Sequence, residues 1–505
     1  MLTRHIITTA SALLITITAQ AEDIWPDQAT TPHQLGPSDT AVLTSHITTA
    51  DGATWVTWQD NICFADVRLQ RLNPAGVRLQ PDGMIIDEEV ELCGVLPMFM
   101  AHAADNSVLV QAGGPFAGQP VQRVAPDGTM MWGADGFDMQ KWGGVLGDIR
   151  PLDNGDVLLV GWNGIPLLIS RIDTTGNVVW TSEIPLQTSS NRRIIGAIPD
   201  TLGGTFIIYD MPLAYTRRID AVRIDQNGTP LWDEATVIAP FELPASRHSD
   251  PVAVPDGQGG VLIILVEGRE SAPTPVPIRI QQLRADGTLV HDLEGMRIST
   301  SAQRQFDPDV VLDPSTGDLL IAWRDGDINN GSISAQRITQ DGTRQWGEQG
   351  IHIADISIPS MSDWDMVWQN DTMTIVIADP VANAPTITAR RVTGLGTLLP
   401  EVTPLSGIDR VVRSLEAKPI GNAVTASWFE ETTAPAGMIV AQRLNPDNTL
   451  GLNQADITVD GVVDVADLLE VLAQWGTCGK QCTADIDDNG VVDTDDLLAV
   501  LAHWG

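Results

Sequence analysis

The chain has 505 residues, with 29 Lys plus Arg against 65 Asp plus Glu and a formal net charge of −36. So acidic a surface excludes nucleic acid and anionic membrane as partners, since both are recognised through basic patches. The length exceeds that of one ordinary domain, so at least two units are expected.

The chain starts Met1-Leu-Thr-Arg4-His, continues with an apolar stretch from Ile6 to about Thr18, and reaches Ala19-Gln20-Ala21. A basic start, a short apolar core and an A-x-A site predict a secretory signal peptide over 1–21. The core is too short to span a bilayer, and no later segment could do so. The protein is therefore expected to be secreted, or held at the cell surface.

Residues 22–452 repeat one line with variations. Its clearest copies are Val121-Gln-Arg123-Val-Ala-Pro-Asp127-Gly128-Thr-Met-Met-Trp132, Ser170 to Trp180, Val222 to Trp232 and Ala335 to Trp346. Weaker copies centre on Gly76, Gly287 and Gly396, and an eighth has Asn448 where glycine is expected; successive centres lie 48–59 residues apart by subtraction. Each copy reads as a hairpin, because Asp-Gly or Asn-Gly between alternating strands is the strongest short-range turn signal. A second hairpin precedes it, as in Asp309 to Trp323. Four short strands per unit, repeated eight times, predict a β-propeller. Eight blades are favoured, with seven the alternative. The eighth unit lacks an outer strand before the chain changes character. Ile24-Trp25-Pro-Asp-Gln28 resembles Gln345-Trp346-Gly-Glu-Gln349, so residues 24–36 are expected to supply that strand and close the ring.

The segment around Trp180 resembles the tryptophan-docking repeat of quinoprotein-type propellers, which would imply a quinone cofactor. The preferred reading is structural: Trp132, Trp180, Trp232 and Trp346 staple neighbouring blades, and no cofactor is expected there. Trp58, Trp162, Trp323 and Trp428 end apolar strands, where they could line a sugar-stacking face but are read as inter-blade core. None of the eight histidines forms a metal pair at helical spacing. Ser246-Arg247-His248-Ser249-Asp250 has the residue types of a catalytic triad, yet triads are assembled in space rather than from adjacent residues. No catalytic residue is assigned.

Four cysteines in an exported chain suggest two local disulfides, Cys63–Cys93 and Cys478–Cys482. Only three lysines occur, Lys141, Lys418 and Lys480, and they are read as coding bias.

Residues 453–505 hold two acid-rich loops. The first places Asp456, Thr458, Asp460, Val462, Asp464 and Asp467 at loop positions 1, 3, 5, 7, 9 and 12. The second places Asp485, Asp487, Asn489, Val491, Asp493 and Asp496 there, and both have glycine at position 6 (Gly461, Gly490). Oxygen donors at alternate positions, with glycine at the sharp turn, are the spacing of a calcium loop. The valines would contribute carbonyls. Two Ca2+ sites are expected, the first weaker because Thr458 is a neutral ligand. Each loop leads into an apolar pattern, Leu468, Leu469, Val471, Leu472, Trp475 and Leu497, Leu498, Val500, Leu501, Trp504, which predicts one helical face each. Too few residues precede the second loop for an entering helix, so the unit is a loop–helix duplicate.

On these residues the segment resembles a type I dockerin. The resemblance implies a small α module that attaches the protein to a cohesin-like partner. Positions 10 and 11, which dockerins use in recognition, are Val465-Ala466 and Thr494-Asp495 and depart from the hydroxyl-rich pair of cellulosomal members. The fold expected overall is mainly β, a propeller followed by a dockerin-like α module. The leading functional reading is a secreted calcium-binding protein with a propeller binding domain and an attachment module, in the setting of extracellular polysaccharide degradation, with polysaccharide a candidate ligand. The alternatives are a polysaccharide-active hydrolase with its active site in the propeller, and a structural surface protein.

Overall fold

The computed structural model describes residues 25–28, 33–36, 42–59, 63–93, 99–111, 120–138, 145–162, 166–185, 193–213, 216–243, 251–266, 277–326, 331–357, 363–379, 384, 386–407, 411–433, 436–458, 463–477, 483–487 and 490–504. The signal peptide and Ser246 to Asp250 lie outside them, as do Cys478 and Cys482.

Eight four-stranded antiparallel sheets follow one another. Blade 1 is typical: Val42–Thr48, Thr54–Gln59, Cys63–Leu72 and Met84–Cys93 pair in that order from the axis outward. The innermost strand of every blade lies against those of both neighbours, and that of blade 8 (Val411–Ile420) lies against that of blade 1. The ring is closed: the protein is an eight-bladed β-propeller.

Closure occurs as the sequence predicts. Blade 8 has three strands of its own, and its fourth is His33–Gly36, antiparallel to Ala436–Leu444 with His33 opposite Ala441. Sharing one blade between the two ends of the repeat covers the edge of Ala436–Leu444, which would otherwise invite further pairing.

The sheets bury both faces, and Thr54–Gln59 is buried along its whole length. Eight hydrophobic clusters result, one at each seam between adjacent blades, so the core is a ring of seams. Trp58, Trp323 and Trp428 are fully buried in these seams and Trp162 packs against one. Trp58, Trp323 and Trp428 therefore offer no sugar-stacking face.

The repeated Arg–Gly–Trp line has a mechanical role. The indole N–H of Trp132 reaches Thr174 O (3.2 Å), Trp180 reaches Gln226 O (3.0 Å), Trp232 reaches Ala285 O (3.1 Å) and Trp346 reaches Gly394 O (3.1 Å). Each accepting carbonyl precedes the turn glycine of the next blade by two residues. The arginine on the same blade often points to the same turn: Arg171 donates to Gln226 O, Arg223 to Ala285 O and Arg337 to Gly394 O. The glycine is required at this contact. At Gly176 a Cβ would stand 3.0 Å from the Trp132 ring, and φ is +88° there. Asn448, in the eighth copy, takes the same left-handed conformation at φ +71°, which Asn tolerates better than most residues.

After the last turn the chain leaves the propeller and folds into helix α1 (Val465–Ala473) and helix α2 (Thr494–Ala502). A two-stranded ribbon, Gly476–Thr477 with Val491–Val492, ties the two halves. A small core of Ala455, Ile457, Val463, Val471, Ala484, Val492 and Val500 holds them together.

Candidate functional site

The two loop–helix units have the same local construction. Asp464 and Asp493 are N-caps, and Asp467 and Asp496 complete capping boxes. Such caps satisfy backbone N–H groups that a helix start leaves unpaired. Asp467 and Asp496 are fully buried. Asp467 accepts from Thr458 N (2.8 Å), Thr458 Oγ1 (3.0 Å) and Asp464 N (2.8 Å). Asp496 accepts from Ile486 N (2.7 Å) and Asp493 N (2.8 Å). Position 12 therefore ties each loop to its own helix.

In the second loop Asp485, Asp487 and Asp496 bring one carboxylate oxygen each within 4.8 Å of one another. Gly490 N donates to Asp485 Oδ2 (2.9 Å) with Gly490 at φ +89°, which turns the loop back on itself. Three carboxylates converging on one point repel one another unless a cation stands between them. The donor set is oxygen throughout, which suits a hard cation such as Ca2+. The residues present thus fit the ion: Asp485, Asp487 and Asp496 would hold it, with the Val491 carbonyl and Asp493 nearby in the chain. Asn489 lies outside the described residues.

In the first loop Asp456 is buried, Thr458 is bound to Asp467, and Asp464 caps α1 through Ala466 N (2.7 Å). Asp460 and Val462 lie outside the described residues. Asp456 also faces the propeller, where its charge acts on the buried guanidinium of Arg443 in blade 8. The second unit touches the same blade, with His503 Nε2 3.5 Å from Asp447.

The helices do not bury the whole apolar pattern. Val471 and Val500 are buried, with Leu468 and Leu497 packed beside them. Leu469 (59%), Leu472 (52%) and Trp475 (48%) are exposed, and so are their counterparts Leu498 (58%), Leu501 (48%) and Trp504 (47%). A nine-residue helix over a core this small can cover only one row of side chains. The remaining apolar residues form two equivalent exposed rows.

Sequence reasoning missed a second constellation, at the propeller axis. Asp309, Asp365, Glu416 with Lys418, and His46 come from the inner strands of blades 6, 7, 8 and 1. Lys418 Nζ lies 3.0 Å from Asp365 Oδ2 and 3.9 Å from Glu416 Oε2. Asp365 Oδ2 accepts from Ala417 N of the next blade (2.7 Å), and Glu416 Oε2 accepts from His46 N (2.8 Å). These carboxylates therefore bridge inner strands as the tryptophans bridge outer ones. Burial and the Asp365 charge push Asp309 well above the carboxylate range. Burial also acts on Asp365, but the Lys418 charge and the Ala417 N–H outweigh it and hold that carboxyl low. Burial pushes Glu416 up to about 7. His46, fully buried with Nε2 3.1 Å from Thr425 Oγ1, is lowered to about 3 by burial and the Lys418 charge. The one available signal was Lys418 itself, a rare residue type inside a strand pattern.

Among the described residues no helix is long and apolar enough to cross a membrane. No protein-family model matches the chain. No curated protein matches it. Among solved structures, similar folds include a PL25 ulvan lyase bound to an oligosaccharide, at 12% identity over 73% of this chain and 96% of that one, with a TM-score of 0.43. The polysaccharide lyase Uly1 matches at 10% identity over 87% and 94%, with a TM-score of 0.41. The β-propeller domain of the Trilobed protease from Pyrococcus furiosus, which has an open velcro topology, matches at 8% identity over 73% and 99%, with a TM-score of 0.42.

Proposed function

We propose that this is a secreted, calcium-binding attachment protein: an eight-bladed propeller that carries the ligand-binding surface, joined to a dockerin-like module that fastens it to a protein partner. The observation that carries this reading is the convergence of Asp485, Asp487 and Asp496 on one point at the start of α2. Calcium there would neutralise the three carboxylates and order the loop that positions the helix. The duplicated exposed rows, Leu469, Leu472, Trp475 and Leu498, Leu501, Trp504, supply the apolar surface through which a cohesin-like partner would bind. The first loop, with Thr458 for a carboxylate, is the weaker site. The propeller's ligand is taken to be polysaccharide, in keeping with the company dockerin-like modules keep.

Calorimetric titration of the whole chain with calcium tests the reading. Two sites of unequal affinity are expected, and Asp496→Ala should abolish the tighter one. A chain that takes up no calcium, or takes it up equally well without Asp496, would sink the proposal. Attachment is tested by titrating a cohesin-type module with and without calcium, binding being expected only with it.

A further inference from the structure

Comparison of the blades with one another sets one seam apart by its missing arginine. Five positions before each turn centre the chain has Arg71, Arg123, Arg171, Arg223, Gln282, Arg337, Arg391 and Arg443. Blade 5 alone has no arginine at that position. Its staple position holds His291 in place of tryptophan, as blades 1 and 7 hold Gln80 and Pro400. His291 is nonetheless set where the tryptophans are, because its N–H donates to Gln281 Oε1 (3.3 Å) as that of Trp346 donates to Gln336 Oε1 (2.8 Å). Gln282 keeps the bond to its own blade, to Asp256 Oδ2 (2.8 Å), that the arginines make elsewhere.

The consequence lies across the seam in blade 6. The carbonyl two residues before Gly342 belongs to Gln340, in the place that receives an indole N–H at five other seams. Among the described residues no N–H is found donating to it, and a cavity of about 120 Å³ opens beside it, lined by Gln340, Gly342, His291, Gln282 and Met296. Met296 covers the glycine, its sulfur 2.9 Å from where a Cβ would stand, but leaves the rest of the slot open. The cavity floor is Leu262, Ile280, Leu319 and Ile338, and no lysine or arginine lines it. Asp256 has both oxygens engaged, by the N–H groups of Gln258 (2.7 Å) and Gly260 (2.8 Å) and by Gln282.

We infer that the seam between blades 5 and 6 is a binding site for a small neutral ring compound carrying one hydrogen-bond donor, of phenol size and chemistry. The slot supplies from outside what five other seams take from a tryptophan: a flat apolar body between the blades and a donor for the exposed carbonyl. An apolar cavity of about 150 Å³ accepts benzene, so the volume suits one ring. The absence of a cation in the lining disfavours anions. This site is independent of calcium and of the tail.

Calorimetry and saturation-transfer NMR with phenol on the whole chain test it. Binding with a dissociation constant of order ~1 mM is expected for so small a ligand. His291→Trp rebuilds the staple in cis. It should weaken phenol binding by ~10-fold or more, with an unchanged or raised unfolding temperature. Should that variant fail to fold, Gln282→Arg replaces it, since a guanidinium on the Gln340 carbonyl should compete with phenol in the same way. Absence of phenol binding to the unaltered chain overturns the proposal, as does undiminished binding in the folded variant. Preference for glucose over phenol overturns the ligand class.

Discussion

Trp25 donates its indole N–H to the carbonyl of Pro74, 49 residues away, at 3.0 Å. Its ring lies against Gly76, with a Cβ there only 3.0 Å from Cγ and Cδ1. The contact repeats that of Trp346 with Gly394 and Gly396, so Trp25 is the staple of blade 8, delivered from the opposite end of the chain. Gln442 Nε2 completes the likeness by donating to Gln28 O (3.2 Å), as Gln336 Nε2 donates to Gly347 O (2.7 Å).

Removal of that staple should therefore act on the whole ring. Trp25→Ala is expected to cost about 3–5 kcal/mol, the usual range for truncating a buried aromatic, and deletion of residues 22–36 should cost more. Chemical denaturation checks both. An unchanged unfolding midpoint in the deletion variant would show that the ring does not depend on its N-terminal strand.

His46 should make the propeller acid-sensitive. Its folded value of about 3 lies below its ordinary value of 6.5, so the stability it contributes is present above pH 6.5 and is lost as the pH falls toward 3. The groups facing it are Lys418, Glu416, Asp365 and Thr425. For one proton the slope approaches about 1.4 kcal/mol per pH unit. Unfolding midpoints measured across that window should fall for the unaltered chain and flatten for His46→Gln.

Glu416 should act in the opposite direction. Its folded value is raised to about 7 from 4.5, so its favourable contribution is complete below pH 4.5 and is lost as the pH rises through 7. The side chain is 30% exposed, and solvent screening reduces the effect to about 1 kcal/mol. Glu416→Gln keeps an acceptor for His46 N and should raise stability at pH 8 relative to pH 5. An equal change at both pH values would assign the shift to another group.

Lys418 sits among carboxylates, and its charge holds Asp365 ionised. Lys418→Met should destabilise the fold at neutral pH by about 2 kcal/mol, less than the loss of a fully buried partner because the lysine is partly open to solvent. Asp365→Asn added to it should restore part of the loss. A double-mutant cycle with no coupling would contradict the pairing.

Cys63 and Cys93 stand directly opposite each other in neighbouring strands. Antiparallel partners have Cα atoms about 4.5–5.5 Å apart, within the range a disulfide spans. Their sulfurs lie outside the described side chains. Non-reducing peptide mapping should recover a Cys63–Cys93 linkage, and Cys63→Ser should cost about 2–4 kcal/mol.

The propeller was legible in the chain because each blade must solve the same local problems. A turn needs a residue tolerant of positive φ, and a seam needs a staple, so glycine and tryptophan recur at set distances. Even closure could be read, since Trp25 repeats the surroundings of Trp346. The convergence of Asp485, Asp487 and Asp496 could be read for a similar reason: the three lie within twelve consecutive positions. The axial cluster of His46, Asp309, Asp365, Glu416 and Lys418 could not be read, because its members are brought together from four blades. The exposure of Leu469 and Leu498 was likewise decided by the tertiary structure, since periodicity shows which residues share a face but not whether anything covers it. The open seam at His291 combines the two. Local sequence shows that a staple is missing there, and only the packing of blade 5 against blade 6 decides that the gap remains a cavity.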